Sequence, residues 1–195
     1  AELIIQSYVH SYFKNNKNIS IGIARAGNVI GGGDWSKNRL IPDCVKSWSK
    51  NKIVLLRNPQ STRPWQHVLE SLWGYLLLSQ KLEKNKKLHG EAFNFGPDNK
   101  SSHDVYSVVK LMGFFWKNVR MRNIKKKKVS FYESGLLKLN SNKAKKLLKW
   151  RTILTFKETI KLVADWYKNF YDKSDPSLIT FHQIKLFMSF LDKRR

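Results

Sequence analysis

The residues best suited to bind a ligand lie in one glycine-rich stretch, residues 24–35, with the sequence ARAGNVIGGGDW. It follows an apolar segment rich in β-branched residues, Ile19–Ile23, which predicts a buried strand of a layered α/β sheet. Glycine lets backbone N–H groups approach a flat or anionic ligand, Arg25 supplies a planar cation, and Asn28 supplies a neutral donor and acceptor. Because open α/β sheets bind ligands at the carboxyl ends of their strands, this stretch is a candidate binding loop.

The glycine pattern does not by itself identify a ligand. It is not the G-x-G-x-x-G of a dinucleotide fold, and it is not a P-loop, because no Gly-Lys-Ser/Thr follows. On this stretch alone, a glycine-rich turn without any ligand stays an open interpretation.

Later segments make the pattern more specific. They follow in the order RLIPD (39–43), RNP (57–59) with TRPWQHVLE (62–70), and EAFNFGP (91–97). Together with the glycine-rich stretch they resemble the extended short-chain dehydrogenase/reductase family, and the resemblance covers nearly the whole chain. Within that family, GGGDW and RPWQHVLE favour the branch that acts on CDP-glucose.

The resemblance implies a lyase that removes water from a nucleotide sugar through bound NAD. The expected reaction converts CDP-glucose to CDP-4-dehydro-6-deoxyglucose, a step toward cell-surface polysaccharide such as lipopolysaccharide O antigen. A related sugar-nucleotide epimerase or reductase of the same family is the nearest alternative. In the family a catalytic Tyr-x-x-x-Lys opens a helix that corresponds to the start of this chain, so the motif would fall immediately before Ala1. The 195 residues are therefore expected to be a C-terminal fragment, inactive alone and homodimeric when complete.

The resemblance also implies roles for individual residues, none of them catalytic. It assigns Ala26 and Gly27 to the NAD cofactor, and it assigns five residues to the nucleotide-sugar substrate: Asn28, Arg39, Leu40, Arg63 and Asn94. Arg39 and Leu40 would meet the diphosphate at a helix N-terminus, and Arg63 would bind it through its guanidinium. Bland alternatives exist: a surface charge for Arg39, an arginine stacked on Trp65 for Arg63, and a turn residue for Asn94. His67 is interpreted as a structural hydrogen-bonding histidine.

The fold class predicted by this reasoning is α/β, the C-terminal part of a Rossmann-type extended fold. We expect residues 1–35 to be a remnant of the NAD-binding domain and 36–195 to be the mainly helical substrate domain. Two parallel strands should remain, Ile19–Arg25 and Glu91–Phe95, the second returning to the Rossmann sheet. A further short strand is predicted at 53–56. Helices are predicted over 1–16, 40–51, 68–84 and 177–191, after a Ser101-Ser102 cap, and after a capping box at Thr155. Within 68–84 the expected buried face includes Leu69, Leu72, Trp73, Leu76 and Leu77. Within 40–51 the residues expected on one face are Leu40, Ile41, Cys44, Val45 and Trp48.

Charge is the strongest feature of the composition. With 37 Lys and Arg against 14 Asp and Glu, the net charge is +23, which would suit a nucleic-acid partner. However, the lysines are spread along the chain, the dense block Lys125–Lys128 could be a solvated loop, and no nucleic-acid-binding motif is present. Nucleic acid is therefore the less favoured partner. The sequence has no apolar run of membrane-spanning length, so no membrane partner is expected, and the single Cys44 fits a reducing compartment, taken as the cytoplasm.

The predicted fold has a consequence for stability. Two parallel strands without further neighbours leave an edge and a face uncovered, so the isolated 195-residue polypeptide should melt broadly and be poorly soluble. Thermal unfolding followed by circular dichroism tests this expectation, and a sharp, cooperative transition would contradict it. In the same samples, RNA binding that weakens steeply between low and physiological salt would favour the nucleic-acid alternative.

Overall fold

The computed structural model describes residues 1–16, 18–97, 102–116, 119–123 and 139–194. The lysine block Lys125–Lys128 and Ser101 lie outside the described residues. The described part alternates short strands with helices. The six α-helices are α1 (Glu2–Tyr8), α2 (Leu40–Trp48), α3 (Val68–Lys84), α4 (Val105–Phe115), α5 (Phe156–Tyr171) and α6 (Pro176–Arg194). Wider π-helical turns over Val9–Phe13 and Ala144–Leu148, and a 3₁₀ turn over Lys86–Leu88, complete the helical structure.

Eight short strands form four hydrogen-bonded pairs in the described residues. They are β1 (Ile23–Ala26), β2 (Asn28–Ile30), β3 (Val54–Leu56), β4 (Thr62–Arg63), β5 (Trp65–His67), β6 (Ala92–Phe95), β7 (His103–Asp104) and β8 (Met121–Asn123). The pairs β1–β6, β2–β5 and β3–β8 are parallel, and β4–β7 is antiparallel. The predicted α/β class is confirmed, and the predicted parallel pair is confirmed as β1–β6.

Two details of the strand prediction are wrong. The first strand begins at Ile23 instead of Ile19, because Ile21 binds the turn that precedes β6: its N–H donates to the His89 ring at 3.1 Å, and its carbonyl accepts from Gly90 at 2.8 Å. In addition, the stretch interpreted as one glycine-rich loop contains a strand, β2, which pairs with β5. The described residues therefore contain a second parallel pair beside β1–β6, in a separate two-stranded sheet.

Helix α3 has the predicted bounds but buries a different face. Leu72 and Leu76, expected in the core, are 46% and 69% exposed. Leu77 is buried as predicted, together with Glu70, Ser71, Gly74, Leu78 and Leu82. Position 74 needs glycine, because an added Cβ would collide with the Phe95 ring.

Of the two predicted helix caps, one is confirmed and one is wrong. The capping box of α5 is confirmed: the Thr155 hydroxyl accepts from the Glu158 N–H at 3.2 Å, and the Glu158 carboxylate accepts from the Thr155 N–H at 2.8 Å. Helix α4 is capped by Asp104 and not by the predicted serines, since the Asp104 carboxylate accepts from the Ser107 N–H at 2.7 Å. The start of α4 is delayed because His103 and Asp104 first pair with β4.

The core is built around α5. Its inward face, including Ile160, Val163 and Tyr167, shares one hydrophobic cluster with α2 and α4. The predicted inward residues of α2 are confirmed, because Ile41, Cys44, Val45 and Trp48 are all buried there. Residues from α3, β6 and the chain around Trp150 form a second hydrophobic cluster, which packs against β6.

A carboxyl group lies in this interior. Glu70 is fully buried, and its Oε1 accepts from the N–H groups of Ile153 and Leu154 at 2.8 and 2.6 Å. Within the described residues its Oε2 has no hydrogen-bond partner, and the residue borders a 110 Å³ cavity together with Gln66 and Thr152. Burial raises the pKa of Glu70 to about 7, although the two backbone hydrogen bonds oppose this shift. The cavity is polar and roomy enough for ordered water.

We predict that Glu70→Gln stabilises the protein relative to the unsubstituted chain, and that this stabilisation is larger at pH 8 than at pH 5. A carboxyl whose pKa is raised from 4.5 to about 7 on folding stabilises the fold below 4.5 and loses that contribution as pH rises through 7. Glutamine keeps an acceptor for both N–H groups but carries no charge. The free energy of unfolding of the variant, relative to the unsubstituted protein, should therefore be larger at pH 8 than at pH 5 by an amount on the order of 2–3 kcal/mol.

Urea unfolding of both proteins at the two pH values measures this difference. Glu83→Gln, an exposed position on the same helix, controls for the loss of one negative charge. Burial lowers the pKa of His67 to about 4, and this effect cancels because both proteins carry the same histidine. A larger relative stability of Glu70→Gln at pH 5 would contradict the prediction.

Candidate nucleotide-binding cleft

An open cleft of about 610 Å³ brings together residues from several separate segments of the chain. The strand β2 and its following loop form one side, and the N-terminus of α2 forms another. The end of β3 and the β4–β5 segment complete the lining. Four of the residues predicted to bind substrate line this cleft: Asn28, Arg39, Leu40 and Arg63.

The N-terminus of α2 provides backbone donors at the cleft. Arg39 is the N-cap, in an extended conformation, and no side chain caps the helix. The first turn of a helix has N–H groups without intrahelical partners, and Pro42, the third helical residue, has no N–H at all. The amides of Leu40 and Ile41 are thus the donors of this turn, and the helix dipole favours an anion beside them.

Arginine side chains add positive charge. Arg39 and Arg57 are exposed, whereas Arg63 is half-buried, and one of its guanidinium N–H groups donates to the Thr62 carbonyl at 2.8 Å. The three arginines line the cleft together with two aspartates, Asp34 and Asp43, so the formal charge is positive. A planar guanidinium can bind a phosphate through two hydrogen bonds at once.

The carboxyl of Asp34 remains an anion in this setting. Burial acts to raise its pKa, but hydrogen bonding with Ser36 and the charges of Arg39 and Lys46 outweigh burial, so the pKa is lowered. An ionised Asp34 beside the arginines can orient Arg39 and can accept hydrogen bonds from hydroxyl groups of a ligand.

Arg57 was not among the predicted site residues. It directly follows β3, whose partner β8 runs parallel to it. The rule that placed the glycine-rich stretch at a strand end could therefore have identified Arg57 as well.

The cleft also has apolar walls. Trp65, Ile41, Val54, Leu56 and Val105 line it. Trp65 lies opposite Asn28 in the β2–β5 register, and its ring N–H donates to the His103 carbonyl at 2.9 Å. Apolar surface next to cationic and amide donors suits a ligand that has both a ring and phosphates.

Ala26 and Gly27 lie beside this cleft in a smaller cavity of about 300 Å³. Asn28 and Arg39 border both cavities, and Pro64 and Leu139 close the smaller one. The predicted cofactor residues therefore line only the smaller cavity, which shares Asn28 and Arg39 with the cleft.

Asn94 lines neither of these two cavities. Its side-chain oxygen accepts from Arg25 at 3.2 Å, and its side-chain nitrogen donates to the Asn140 carbonyl at 3.0 Å. Arg25 itself forms an ion pair with Glu2 of α1. The structure therefore separates Asn94 from the other predicted substrate residues, and its substrate contact stays a prediction.

One glycine of the loop, Gly32, packs against a protein side chain. Of residues 27 and 31–33, Gly33 alone has a positive φ, at 78°. Gly32 lies directly on the Trp166 ring, where an added Cβ would be 2.0 Å from a ring carbon. At this position glycine is required by packing against a protein side chain, not by approach to a ligand.

His67 has the structural role that the sequence predicted. It is buried at the N-cap of α3, where its Nδ1 accepts from the Leu69 N–H at 3.3 Å. Burial lowers the pKa of His67 to about 4, so the ring is neutral at physiological pH.

A Tyr-x-x-x-Lys spacing does occur in the chain, at Tyr106 and Lys110 of α4, and the sequence analysis missed it. Both residues are exposed, and neither lines the cleft. In the part of the chain that the structure describes, there is no cluster of three or more metal-binding side chains. That part also has no helix with the length and hydrophobicity needed to cross a membrane.

Comparison with known proteins places this geometry in context. No model of a known protein family matches the chain. Among solved structures, the fold is similar to that of a UDP-glucuronic acid 4-epimerase from Bacillus cereus in complex with UDP-glucuronic acid and NAD. That match has a TM-score of 0.68 and 19% identity, and it covers 87% of this chain and 51% of the epimerase. A dTDP-glucose 4,6-dehydratase from Bacillus anthracis in complex with NAD matches with a TM-score of 0.66 and 20% identity, over 86% of this chain and 49% of the dehydratase.

The chain thus has a Rossmann-type α/β fold like that of these two enzymes. In sequence, it is 36% identical over 193 residues to a CDP-glucose 4,6-dehydratase from Salmonella typhimurium. This match covers 97% of the chain but only 54% of the dehydratase, so the chain spans about half the length of this curated relative. The resemblance predicted from the sequence is confirmed.

Proposed function

We propose that this chain is the C-terminal, nucleotide-sugar-binding part of a CDP-glucose 4,6-dehydratase. The observation that carries the proposal is the convergence of the α2 N-terminus, Arg39 and Arg63 on one cleft with apolar walls. This arrangement supports diphosphate binding by backbone amides and guanidinium groups. The 36% identity to the Salmonella enzyme favours cytidine as the base and glucose as the sugar.

Each group in the cleft has a defined task in this proposal. Arg63 and Arg39 neutralise the diphosphate, and the amides of Leu40 and Ile41 donate hydrogen bonds to it. Asp34 accepts hydrogen bonds from sugar or ribose hydroxyls, and the apolar residues shield the ring of the substrate from water. Two arginines on different elements fix the direction of the nucleotide, and hence which end of the substrate lies near the smaller cavity.

The smaller cavity is the proposed place for the reactive end of NAD. Ala26, Gly27, Val29, Pro64 and Leu139 give it small or apolar walls, which fit the flat face of a cofactor ring. When bound, NAD supplies a temporary hydride acceptor for the sugar. Because Asn28 and Arg39 border both cavities, they would hold the sugar and the cofactor next to each other.

The first prediction from this proposal concerns Arg63. Replacing Arg63 with Ala should weaken CDP binding roughly 10- to 100-fold, because a charge-assisted hydrogen bond contributes about 1.5–3 kcal/mol. Arg63→Lys should have an intermediate effect, since the charge remains but the planar fork is lost. Isothermal titration calorimetry with CDP, UDP and dTDP, on the natural polypeptide that carries these residues, measures both the affinity and the preference for the base.

Arg151→Ala is the matched control, because Arg151 is an exposed arginine outside the cleft lining. It removes the same charge and should leave CDP affinity unchanged. Equal losses for Arg63→Ala and Arg151→Ala would point to a diffuse charge effect and would reject the proposed site.

The second prediction concerns catalysis. The 195 residues by themselves should not convert CDP-glucose in the presence of NAD, because the family's catalytic tyrosine and lysine are not supplied at the expected place. The assay follows formation of the 4-keto product by its absorbance in alkali. Turnover by this polypeptide alone would overturn the prediction, and Tyr106→Phe would then show whether the exposed pair on α4 takes part.

A further inference from the structure

We propose that two aromatic residues of α5, Trp166 and Tyr167, are positioning residues for the nucleotide cleft. They act through the segment 31–39, here called the anchored loop, which carries Asp34 and Arg39 to the cleft lining. This inference rests on the proposed function, because it explains how the anion-binding N-terminus of α2 is held in place.

A hydrogen bond ties the anchored loop to the core. Tyr167 is fully buried, and its hydroxyl donates to the Asp34 backbone carbonyl at 2.7 Å. The two residues are 133 positions apart in the sequence, so the bond joins distant parts of the chain. The bond fixes the backbone at Asp34, whose side chain borders the cleft.

Packing holds the same loop at two more points. Gly32 lies against the Trp166 ring without room for a side chain. Trp35 is enclosed by aromatic rings, with centroid distances of 5.3 Å to Tyr167 and 4.9 Å to Phe170. Aromatic contacts of this kind stabilise packing beyond the burial of apolar surface, so they add to the single hydrogen bond.

The loop is also attached to the helix that it precedes. Lys46 of α2 donates through Nζ to the Trp35 carbonyl at 2.6 Å, and its ammonium lies 5.8 Å from the Trp35 ring centre. The anchored loop is therefore fixed to α5 on one side and to α2 on the other. Its last residue, Arg39, is the N-cap of α2, so the position of α5 determines where the α2 N-terminus lies.

The C-terminal helix extends this connection. The Trp166 ring N–H donates to the Thr180 hydroxyl of α6 at 2.9 Å, and that hydroxyl donates to the Pro176 carbonyl at 2.7 Å. Helix α6 thus helps to fix the orientation of the ring on which Gly32 lies. Arg63, in contrast, lies on β4, which pairs with β7 outside the anchored loop.

This difference between Arg39 and Arg63 gives a test that distinguishes a positioning role of Tyr167 from a general loss of stability. Tyr167→Phe removes only the hydroxyl, and it should weaken CDP binding roughly fivefold at temperatures where the protein stays folded. In double-mutant cycles, Tyr167→Phe and Arg39→Ala should be non-additive, because loosening the loop already displaces Arg39. Tyr167→Phe and Arg63→Ala should be additive.

Tyr171→Phe is the matched control. Tyr171 belongs to the same aromatic cluster, 6.2 Å from the Trp35 ring, but is 37% exposed. Its substitution should leave CDP affinity unchanged. Unchanged affinity in Tyr167→Phe, or additivity with Arg39→Ala, would overturn the positioning role.

Hydrogen exchange measured by mass spectrometry provides a readout that needs no ligand. Tyr167→Phe should accelerate exchange of the amides in 31–41 at least threefold, while amides of β5 and α3 stay unchanged. If the unsubstituted protein binds none of the nucleotides but this local acceleration is seen, the proposed function fails and the anchoring of the loop stands. If exchange in 31–41 is unaffected, the anchoring itself is rejected.

Discussion

Parallel pairing of strands decides where the polar residues of this chain gather. In β1–β6, β2–β5 and β3–β8 the paired strands run in the same direction, so within each pair the carboxyl ends lie at the same edge. The segments that follow these ends carry Asp34, Arg39 and Arg57, and all three line the cleft. Helix α5 supports this side from within, because its buried face packs against α2 and α4.

Much of the fold could be predicted because its signals are local. The capping box at Thr155, the bounds of α3 and the inward residues of α2 each depend on side chains within a few positions of one another. The positions of Asn28, Arg39, Leu40 and Arg63 around one cleft agree with roles that came from the resemblance and not from periodicity. The order of the motifs along the chain thus predicted which distant residues lie close together, and no single segment could do so.

The wrong predictions have a common physical cause, which is competition from distant contacts. Leu72 and Leu76 fit a helical apolar stripe, but the bulky Phe95 ring packs on α3 at Gly74, and these two leucines are exposed. The glycine-rich stretch was interpreted as one loop, yet its middle pairs with β5 and its Gly32 packs on Trp166 of α5. None of these partners can be identified from neighbouring residues.

The net charge of +23 has to be considered separately from the cleft. A field of this sign raises the local concentration of any polyanion, whether nucleic acid or nucleotide, and it is screened over about 10 Å at 0.1 M salt. It therefore accelerates encounter without selecting a partner. Selection needs donors at fixed positions, and the chain provides these where the N-terminus of α2 meets Arg39 and Arg63. Because the buried Tyr167 and the Trp166 ring hold the loop before α2, the donors are ordered before the ligand arrives, and the entropy lost on binding is smaller.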